Sequence, residues 1–299
     1  MTTHDARSVL MRPHTAPSTA FPQRDVTVHG MRLRYVDIPA REEERDEPIL
    51  LIHGHSSRLE EYEALVPLLS KHRRVLVPDL PGSGYSDKPL RKYSLRFFED
   101  TLLGVLDTLD VSRVHLGGGS LGGNLALRLA HREPGRFHKV AAWAPAGSWE
   151  PMRRWIWFGR FMRNLRFLFW PSLWVQSRFW YRRDWDGREK ALRDAWAYYR
   201  EVYGDGFYRM YWDIGVDQVM QSLFSVAPEI RQPTWLAVGD QDKALGMFQG
   251  VRRLATLLPN ATLRIYEGAR HSLANEVAQS LGAEVDAFLL PASTRRDGS

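Results

Sequence analysis

The chain has 299 residues, 41 of them Lys or Arg and 35 Asp or Glu, so its formal net charge is +6. It has no cysteine, which excludes disulfides, thiol nucleophiles and cysteine-held zinc or iron–sulfur centres. This length allows one large α/β domain or two smaller ones, and a core that needs no disulfide or metal ion for stability. Eleven tryptophans are the other unusual feature of the composition.

The two ends of the chain are predicted to lie outside the folded part, residues 1–24 as a loose leader and residues 291–299 as a tail. The leader carries charges and prolines but no apolar run of the kind found in a secretory signal. No stretch of 18 apolar residues occurs anywhere. We therefore expect a cytoplasmic protein, with peripheral membrane contact as an alternative considered below.

From residue 25 onward, strand patterns alternate with helix patterns. A hairpin is predicted over 25–39, where apolar and polar residues alternate around His29-Gly30. Short continuous apolar runs follow, as expected of strands buried on both faces. These runs are 49–52, 74–77, 114–116, 140–143, 235–238 and 263–266, and helical periods cover 60–70, 95–109, 121–131, 243–258 and 272–290. The pattern predicts an α/β fold with a mostly parallel eight-stranded sheet and helices on both faces.

The alternation is interrupted once, after the sixth strand. Residues 147–230 have helical character and no further strand pattern, which predicts a helical cap inserted into a core made of 25–146 and 231–290. In sheets of this kind ligands bind beyond the carboxyl ends of the strands. The polar residues that directly follow each strand are therefore the candidates for a functional site.

A Gly-x-Ser-x-Gly pattern, formed by Gly118, Ser120 and Gly122, follows the fifth strand and precedes a helix. A serine nucleophile needs such a strained strand-to-helix turn, with small residues beside it so that the turn can close. A phosphate-binding P-loop would need Gly-Lys-Ser/Thr, and a dinucleotide site would need the glycines after the first strand. Neither pattern is present, so Ser120 is predicted to be a nucleophile.

A serine nucleophile needs a base, and the base needs an acid to orient it. His271 follows the last strand, at the start of the final helix. Asp240 and Asp242 both follow the seventh strand, and Asp242, further along the loop, is favoured as the acid. Asp240 is expected to be a turn or capping residue.

The oxyanion of an acyl-transfer reaction needs two backbone N–H donors. Leu121, directly after the serine, is one candidate, and His55, after His53-Gly54, is the other. A His-x-His pair could also be half of a metal site, but no third ligand clusters with it, so no metal is predicted. His53 is expected to be a structural, hydrogen-bonded histidine, whereas the His55 ring could also point into the pocket.

Taken together, these motifs resemble the α/β-hydrolase superfamily over about residues 25–290. The resemblance rests on the Gly118–Gly122 pattern, His53-Gly54, residues 79–86 (DLPGSGYS), residues 239–242 (GDQD) and Arg270-His271-Ser272. It implies a capped serine hydrolase without a cofactor, near the esterases, monoacylglycerol-lipase-like enzymes, thioesterases and carbon–carbon hydrolases of ring-fission products. Epoxide hydrolases and haloalkane dehalogenases of this superfamily have Asp where this chain has Ser120.

The expected activity is cleavage of an ester or thioester of a hydrophobic acyl or aromatic substrate. Carbon–carbon hydrolysis and acyl transfer use the same residues, and a non-catalytic receptor on this fold is a further alternative. Residues 79–86 form a structural loop in the resembled family, and no catalytic role is expected for them here.

The composition of the cap is extreme. It contains nine of the 11 tryptophans, and residues 151–183 hold eight arginines, eleven aromatic residues and no acid. Such a segment suits an aromatic lid over a substrate pocket, with Trp149, Trp155 and His55 as candidate substrate-binding residues. It also suits contact with an anionic membrane, and the two interpretations are compatible. Nucleic-acid binding is not predicted, because a local patch without a binding fold is weak support for it.

Overall fold

The computed structural model describes residues 21–42, 44 and 46–291, except for the side chains of residues 154, 155, 158 and 160. Its centre is one eight-stranded sheet. The strands are β1 Gln23–Val28, β2 Met31–Ile38, β3 Ile49–Ile52, β4 Val75–Pro78, β5 Val114–Gly119, β6 Phe137–Trp143, β7 Thr234–Gly239 and β8 Ala261–Tyr266. The predicted leader 1–24 and tail 291–299 lie mostly outside the described residues, and β1 begins before the predicted boundary at residue 25.

The spatial order of the strands is β1-β2-β4-β3-β5-β6-β7-β8. β2 pairs antiparallel with β1 and with β4, and every other pairing is parallel. The predicted α/β fold with a mostly parallel eight-stranded sheet is therefore confirmed. Strands β3, β4, β5 and β7 are buried along their whole length, which explains their continuous apolar sequences.

Helices cover both faces of the sheet, so successive residues of a central strand enter two different cores. In β3, Leu50 and Ile52 belong to the hydrophobic cluster on one face, whereas Ile49 and Leu51 belong to the cluster on the other. The helices are α1 Val66–Leu69, α2 Leu95–Thr108, α3 Leu121–Arg132, α4 Arg154–Asn164, α5 Phe169–Ser177, α6 Arg188–Val202, α7 Asp205–Met220, α8 Met247–Leu257, α9 Leu273–Glu276 and α10 Ala278–Leu289.

Three predicted helices are interrupted in the structure. The period over 60–70 divides into a 3-10 turn, Leu59–Tyr62, and the short α1, and the segment 272–290 divides into α9 and α10. The helix predicted from 243 starts with a 3-10 turn, Ala244–Gly246, in which Leu245 and Gly246 have positive φ. These breaks lie where the chain passes the carboxyl edge of the sheet, so local geometry there overrides helical periodicity.

Strand β5 extends through Gly119, further than the predicted 114–116. Its glycines pair with Ala141, Ala142 and Trp143 of β6. A side chain at Gly119 would collide with the Trp143 indole, and one at Gly117 would meet Leu51. The glycine cluster therefore completes a tightly packed strand before it becomes a turn.

Four helices, α4 to α7, occupy the segment between β6 and β7 where a cap was predicted. Their inner faces form an aromatic cluster around Phe169, whose ring lies within 4.9–6.3 Å of the rings of Tyr203, Tyr211 and Phe207. Among the described residues, no helix combines the length and the apolar character needed to cross a bilayer.

Candidate active site

Ser120 lies at the junction of β5 and α3, in a backbone conformation that few side-chain-bearing residues adopt. Its φ is 52° and its ψ is −117°. The turn is held by the Ser120 N–H, which donates to the Trp143 carbonyl at 3.0 Å, and by the Ser120 carbonyl, which accepts from Asn124 and Ala146. This strain directs a small polar side chain beyond the carboxyl edge of the sheet, as a nucleophile elbow requires.

The glycines on either side of Ser120 allow this turn to close. A side chain at Gly118 or Gly122 would collide with the backbone carbonyl of Ile52 in β3. The neighbouring strand therefore excludes any larger residue at both positions, which is the physical reason for the Gly-x-Ser-x-Gly pattern.

Asp242 and His271 are brought together from the ends of two neighbouring strands. The His271 Nδ1 lies 2.7 Å from the Asp242 Oδ2, and the Asp242 side chain is almost fully buried. The other carboxylate oxygen, Oδ1, accepts the Ala244 N–H at 3.0 Å. Because Asp242 holds the proton on Nδ1, the Nε2 of neutral His271 is free to accept a proton.

Asp240, the other acidic residue of this loop, has a different partner. Its Oδ1 accepts the backbone N–H of Gly268 at 2.8 Å, in an exposed turn after β8. Asp240 therefore occupies the turn-stabilising role expected for it, and Asp242 is the carboxylate that reaches His271.

The pKa of His271 is raised above its ordinary value. Burial alone would lower the pKa, but the charge and hydrogen bond of Asp242 outweigh burial, and Glu61 and Glu276 add to the effect. The imidazolium that forms when His271 accepts a proton is therefore stabilised by the carboxylates around it.

The loop after β3 brings backbone close to Ser120. A Cβ placed on Gly54 would lie 3.8 Å from the Ser120 Cβ, which is ordinary van der Waals contact, so the loop passes directly beside the serine. His53 anchors the loop: its Nδ1–H donates to the Gly54 carbonyl at 2.8 Å, and its Nε2 accepts the Leu80 N–H at 3.0 Å. The expectation that His53 is a structural histidine is confirmed.

His55 packs against the cap. Its Nε2 lies 2.9 Å from the Tyr211 carbonyl oxygen, and the two rings are 4.8 Å apart. Burial lowers the pKa of His55 to about 4, so the imidazole is neutral and donates from Nε2. The ring is thereby turned toward α7, while the His55 N–H stays part of the loop beside Ser120.

Two tyrosines of the cap form hydrogen bonds with the loop after β3. The hydroxyls of Tyr199 and Ser56 are 3.2 Å apart, and the Tyr198 hydroxyl donates to the Ser57 carbonyl at 3.0 Å. On the other side, the Ser272 N–H, next to His271, donates to the Trp180 carbonyl at 3.1 Å. The cap therefore contacts both the loop beside Ser120 and the segment that carries His271.

Glu61 is a residue of this region that sequence reasoning missed. Its carboxylate accepts the Gly54 N–H at 2.9 Å, and its charge acts on His271 and on Tyr181 and Tyr199 of the cap. The neighbouring Tyr62 hydroxyl accepts the Gly119 N–H and donates to the Ile52 carbonyl. The helical pattern predicted over 60–70 contained no signal that would have singled out these two side chains.

The tryptophans predicted to bind substrate lie in different situations. Trp149 is 7% exposed, packs in the main core cluster and lies with its Nε1 3.3 Å from the Gln218 carbonyl. This environment is that of a core side chain, and a role for Trp149 in substrate binding stays a prediction. The side chain of Trp155 lies outside the described residues.

One group of potential metal ligands, Glu47, His115 and His138, lies at the amino ends of β3, β5 and β6, on the edge of the sheet opposite Ser120. The Arg113 guanidinium contacts both the Glu47 carboxylate, at 3.1 Å, and the His138 Nε2, at 3.0 Å. The positive charge of Arg113 therefore already lies against these side chains. The group takes no part in the candidate active site.

A family model described as the α/β-hydrolase fold matches residues 47–275. The chain belongs to the α/β-hydrolase fold family. As an α/β hydrolase it places Ser120, Asp242 and His271 after β5, β7 and β8, on one edge of the sheet.

Two curated proteins and one solved structure show the extent of the similarity. It is 36% identical over 104 residues to the 2-hydroxymuconate semialdehyde hydrolase of Pseudomonas sp. strain CF600, and 37% identical over 115 residues to the haloalkane dehalogenase of Psychrobacter cryohalolentis. These matches cover 33% and 38% of the chain, and 37% of the length of each relative. The crystal structure of the enol-lactonase from Burkholderia xenovorans LB400 superposes with a TM-score of 0.76 at 26% identity, covering 89% of this chain and 99% of the lactonase.

Proposed function

We propose that the chain is a serine hydrolase that cleaves a carboxylic ester or thioester through Ser120, His271 and Asp242. The observation that carries the proposal is that a strained serine and the hydrogen-bonded Asp242–His271 pair follow parallel strands at the same edge of the sheet. Ser120 also argues against the chemistry of the dehalogenase relative, because the resembled dehalogenases have Asp at this position.

In the proposed reaction, the Ser120 Oγ attacks the carbonyl carbon while its proton passes to the His271 Nε2. The tetrahedral intermediate collapses, the bond to the leaving group breaks, and His271 returns the proton to the leaving oxygen or sulfur. Water then attacks the acyl-enzyme by the same route and releases the acid. Asp242 remains ionised and stabilises the imidazolium in both steps.

The negative charge of the tetrahedral intermediate would be held by two backbone N–H groups, those of Leu121 and His55. Leu121 is the first residue of α3, whose amino end favours negative charge nearby. The hydrogen bonds of His53 to Gly54 and Leu80 support the loop that carries the His55 N–H. No cofactor is needed for this chemistry.

We further propose that residues 147–230 act as a lid whose inner face selects hydrophobic acyl or aromatic substrates. Tyr199, Tyr211 and Phe207 are buried, and the Phe207 ring lies 6.0 Å from the Tyr199 ring and 6.3 Å from the Tyr211 ring. The two tyrosines contact Ser56 and His55 in the loop beside Ser120. Aromatic rings offer large apolar area with few rotatable bonds, which suits a rigid apolar pocket.

Carbon–carbon hydrolysis is the second candidate, favoured by the similarity to a 2-hydroxymuconate semialdehyde hydrolase. The similarity to an enol-lactonase favours ester chemistry, although on a cyclic ester. Acyl transfer differs only in the acceptor that resolves the acyl-enzyme. Because all three reactions use the same serine, the residues at the elbow do not distinguish them.

A substrate panel distinguishes these reactions. The purified protein is assayed with p-nitrophenyl esters of increasing acyl length, an acyl thioester, an enol-lactone and a vinylogous 1,5-diketone, each also with an added alcohol acceptor. The proposal predicts the highest kcat/KM on an apolar ester or thioester. A preference for the diketone would replace it with the second candidate, and turnover of none of them would contradict it.

A further inference from the structure

The outer face of α4 and α5 exposes large hydrophobic side chains of the kind that are usually buried. Nine large hydrophobic side chains are exposed in the described part of the chain, and six of them lie within residues 157–179. They are Trp157 (74% exposed), Phe161 (62%), Phe167 (72%), Trp174 (50%), Val175 (50%) and Phe179 (51%). We call these six side chains the aromatic patch.

The helices present the patch in an ordered way. Trp157 and Phe161 are four residues apart in α4, so they share one face. In α5 the inward face consists of Phe169, Leu173 and Ser177, while Trp174 and Val175 point outward. Both faces of α5 are thus largely apolar, which is unusual for a surface helix.

A second cap helix, α6, shows what an ordinary outer face looks like in this protein. Its exposed residues include ion pairs spaced four residues apart, Lys190 with Asp194 at 2.6 Å and Arg193 with Glu189 at 3.7 Å. The aromatic patch is therefore confined to α4, α5, the turn between them and Phe179 just after α5, and does not extend to α6.

Cations accompany the patch. Residues 151–183 contain eight arginines and no acid. The Arg178 guanidinium lies 3.7 Å from the centre of the Trp174 ring, and both side chains are exposed. Arg163 and Arg166 form ion pairs with Asp213 and Asp205 of α7, so the charges of these two arginines are partly balanced.

We propose that the aromatic patch docks onto the surface of a lipid bilayer that contains anionic phospholipids. Aromatic rings partition at the boundary between headgroups and acyl chains, while arginines bind the anionic headgroups above it. The lack of acids in 151–183 fits an anionic bilayer and disfavours a neutral apolar protein partner. Docking would orient the cap toward lipid, but binding to a bilayer does not require hydrolysis. The docking proposal and the proposed hydrolase activity can therefore be disproved independently.

The test is flotation of the full-length protein with vesicles of phosphatidylcholine, with and without phosphatidylglycerol. We expect binding to the anionic vesicles at low salt and weaker binding at high salt, because salt screens the charges. The double substitution Phe161→Ser and Phe167→Ser should lower the partition coefficient by roughly tenfold or more, because two aromatic rings that would move from water into the bilayer are removed. Arg178→Gln should lower it on anionic vesicles by about fivefold.

Matched controls lie elsewhere on the surface. Leu90 is as exposed as Phe167, and Arg193 is an exposed arginine of α6. Leu90→Ser and Arg193→Gln should bind as the unchanged protein does, and all variants should keep its melting temperature. No binding to anionic vesicles, or equal losses in the controls, would overturn the proposal. A dimer in solution that the patch substitutions dissociate, without vesicle binding, would also overturn it, because a second copy would then cover the patch.

Discussion

Two regions of the molecule use side chains in opposite ways. At the carboxyl edge of the sheet, small residues and buried polar groups fix a few atoms: Gly118 and Gly122 permit the turn at Ser120, and Asp242 holds His271. On the outer face of α4 and α5, large aromatic side chains lie exposed to solvent. The first region depends on the positions of a few atoms, whereas the second depends on apolar area and charge.

The largest effect is expected at the carboxyl edge of the sheet, from Ser120→Ala. We expect kcat/KM on a p-nitrophenyl ester to fall by roughly 10⁴-fold to 10⁶-fold, because the nucleophile and its base act as a unit. Steady-state kinetics on the purified variant measure the loss. Ser225→Ala, at an exposed serine of the cap, should keep full activity, and substantial turnover by Ser120→Ala would remove this residue from the mechanism.

Asp242→Asn should produce the next largest loss. An amide cannot stabilise the imidazolium and favours the wrong tautomer of His271, so we expect kcat to fall by about 10²-fold to 10⁴-fold. Asp240→Asn is the matched control on the same loop, since Asp240 contacts Gly268 and not His271. Kinetics of the two variants side by side test the assignment, which fails if Asp240→Asn is the more damaging change.

Trp149 and Trp174 should contribute differently to the stability of the protein. Trp149 is buried in the core cluster, so Trp149→Ala should lower the free energy of unfolding by about 3–5 kcal/mol. Trp174 is half exposed, and Trp174→Ala should cost less than about 1 kcal/mol. Urea denaturation followed by circular dichroism measures both values. Similar losses would mean that the outer face of α5 is packed in the same way as the core.

The smallest expected effect concerns the pH dependence. The proposed mechanism needs neutral His271, so kcat/KM should rise with pH through the pKa of this residue, which nearby carboxylates raise. Glu61→Gln removes one of these charges and lowers the pKa, so the acidic limb of the profile should move to lower pH. Glu63→Gln, at an exposed residue nearby, serves as the control and should leave the limb in place. A limb that stays in place or moves to higher pH in Glu61→Gln would show that Glu61 does not act on His271.

Much of the sheet was predictable because buried parallel strands leave continuous apolar runs such as 49–52, and because the polar residues that follow them cluster at one edge. Ser120 and His271 could be singled out from their place after strands, and Asp242 from its place in the loop. Other features of the site depend on contacts between distant parts of the chain, which the sequence pattern does not show. Glu61, whose carboxylate accepts the Gly54 N–H, lies in a 3-10 turn that interrupts the helix predicted over 60–70, and no periodicity in sequence reports such a break.

The cap illustrates a different limit of sequence reasoning. Its arginine and tryptophan content predicted an unusual segment but could not separate inward from outward rings. The structure distinguishes them: Phe169 and Tyr211 are buried, whereas Phe167 and Trp174 are exposed. The composition was compatible with a pocket lid and with a membrane surface because the cap has two faces, and each face suits one of these roles.

Covalent labelling of the proposed nucleophile, Ser120, is the most direct test of the mechanism. The purified protein is treated with a fluorophosphonate probe, and its intact mass is measured, followed by peptide mapping. The account predicts one added group per chain, on Ser120, with no labelling of Ser120→Ala and much slower labelling of Asp242→Asn. A protein that remains unlabelled, or is labelled equally well after Ser120→Ala, would contradict the proposed mechanism.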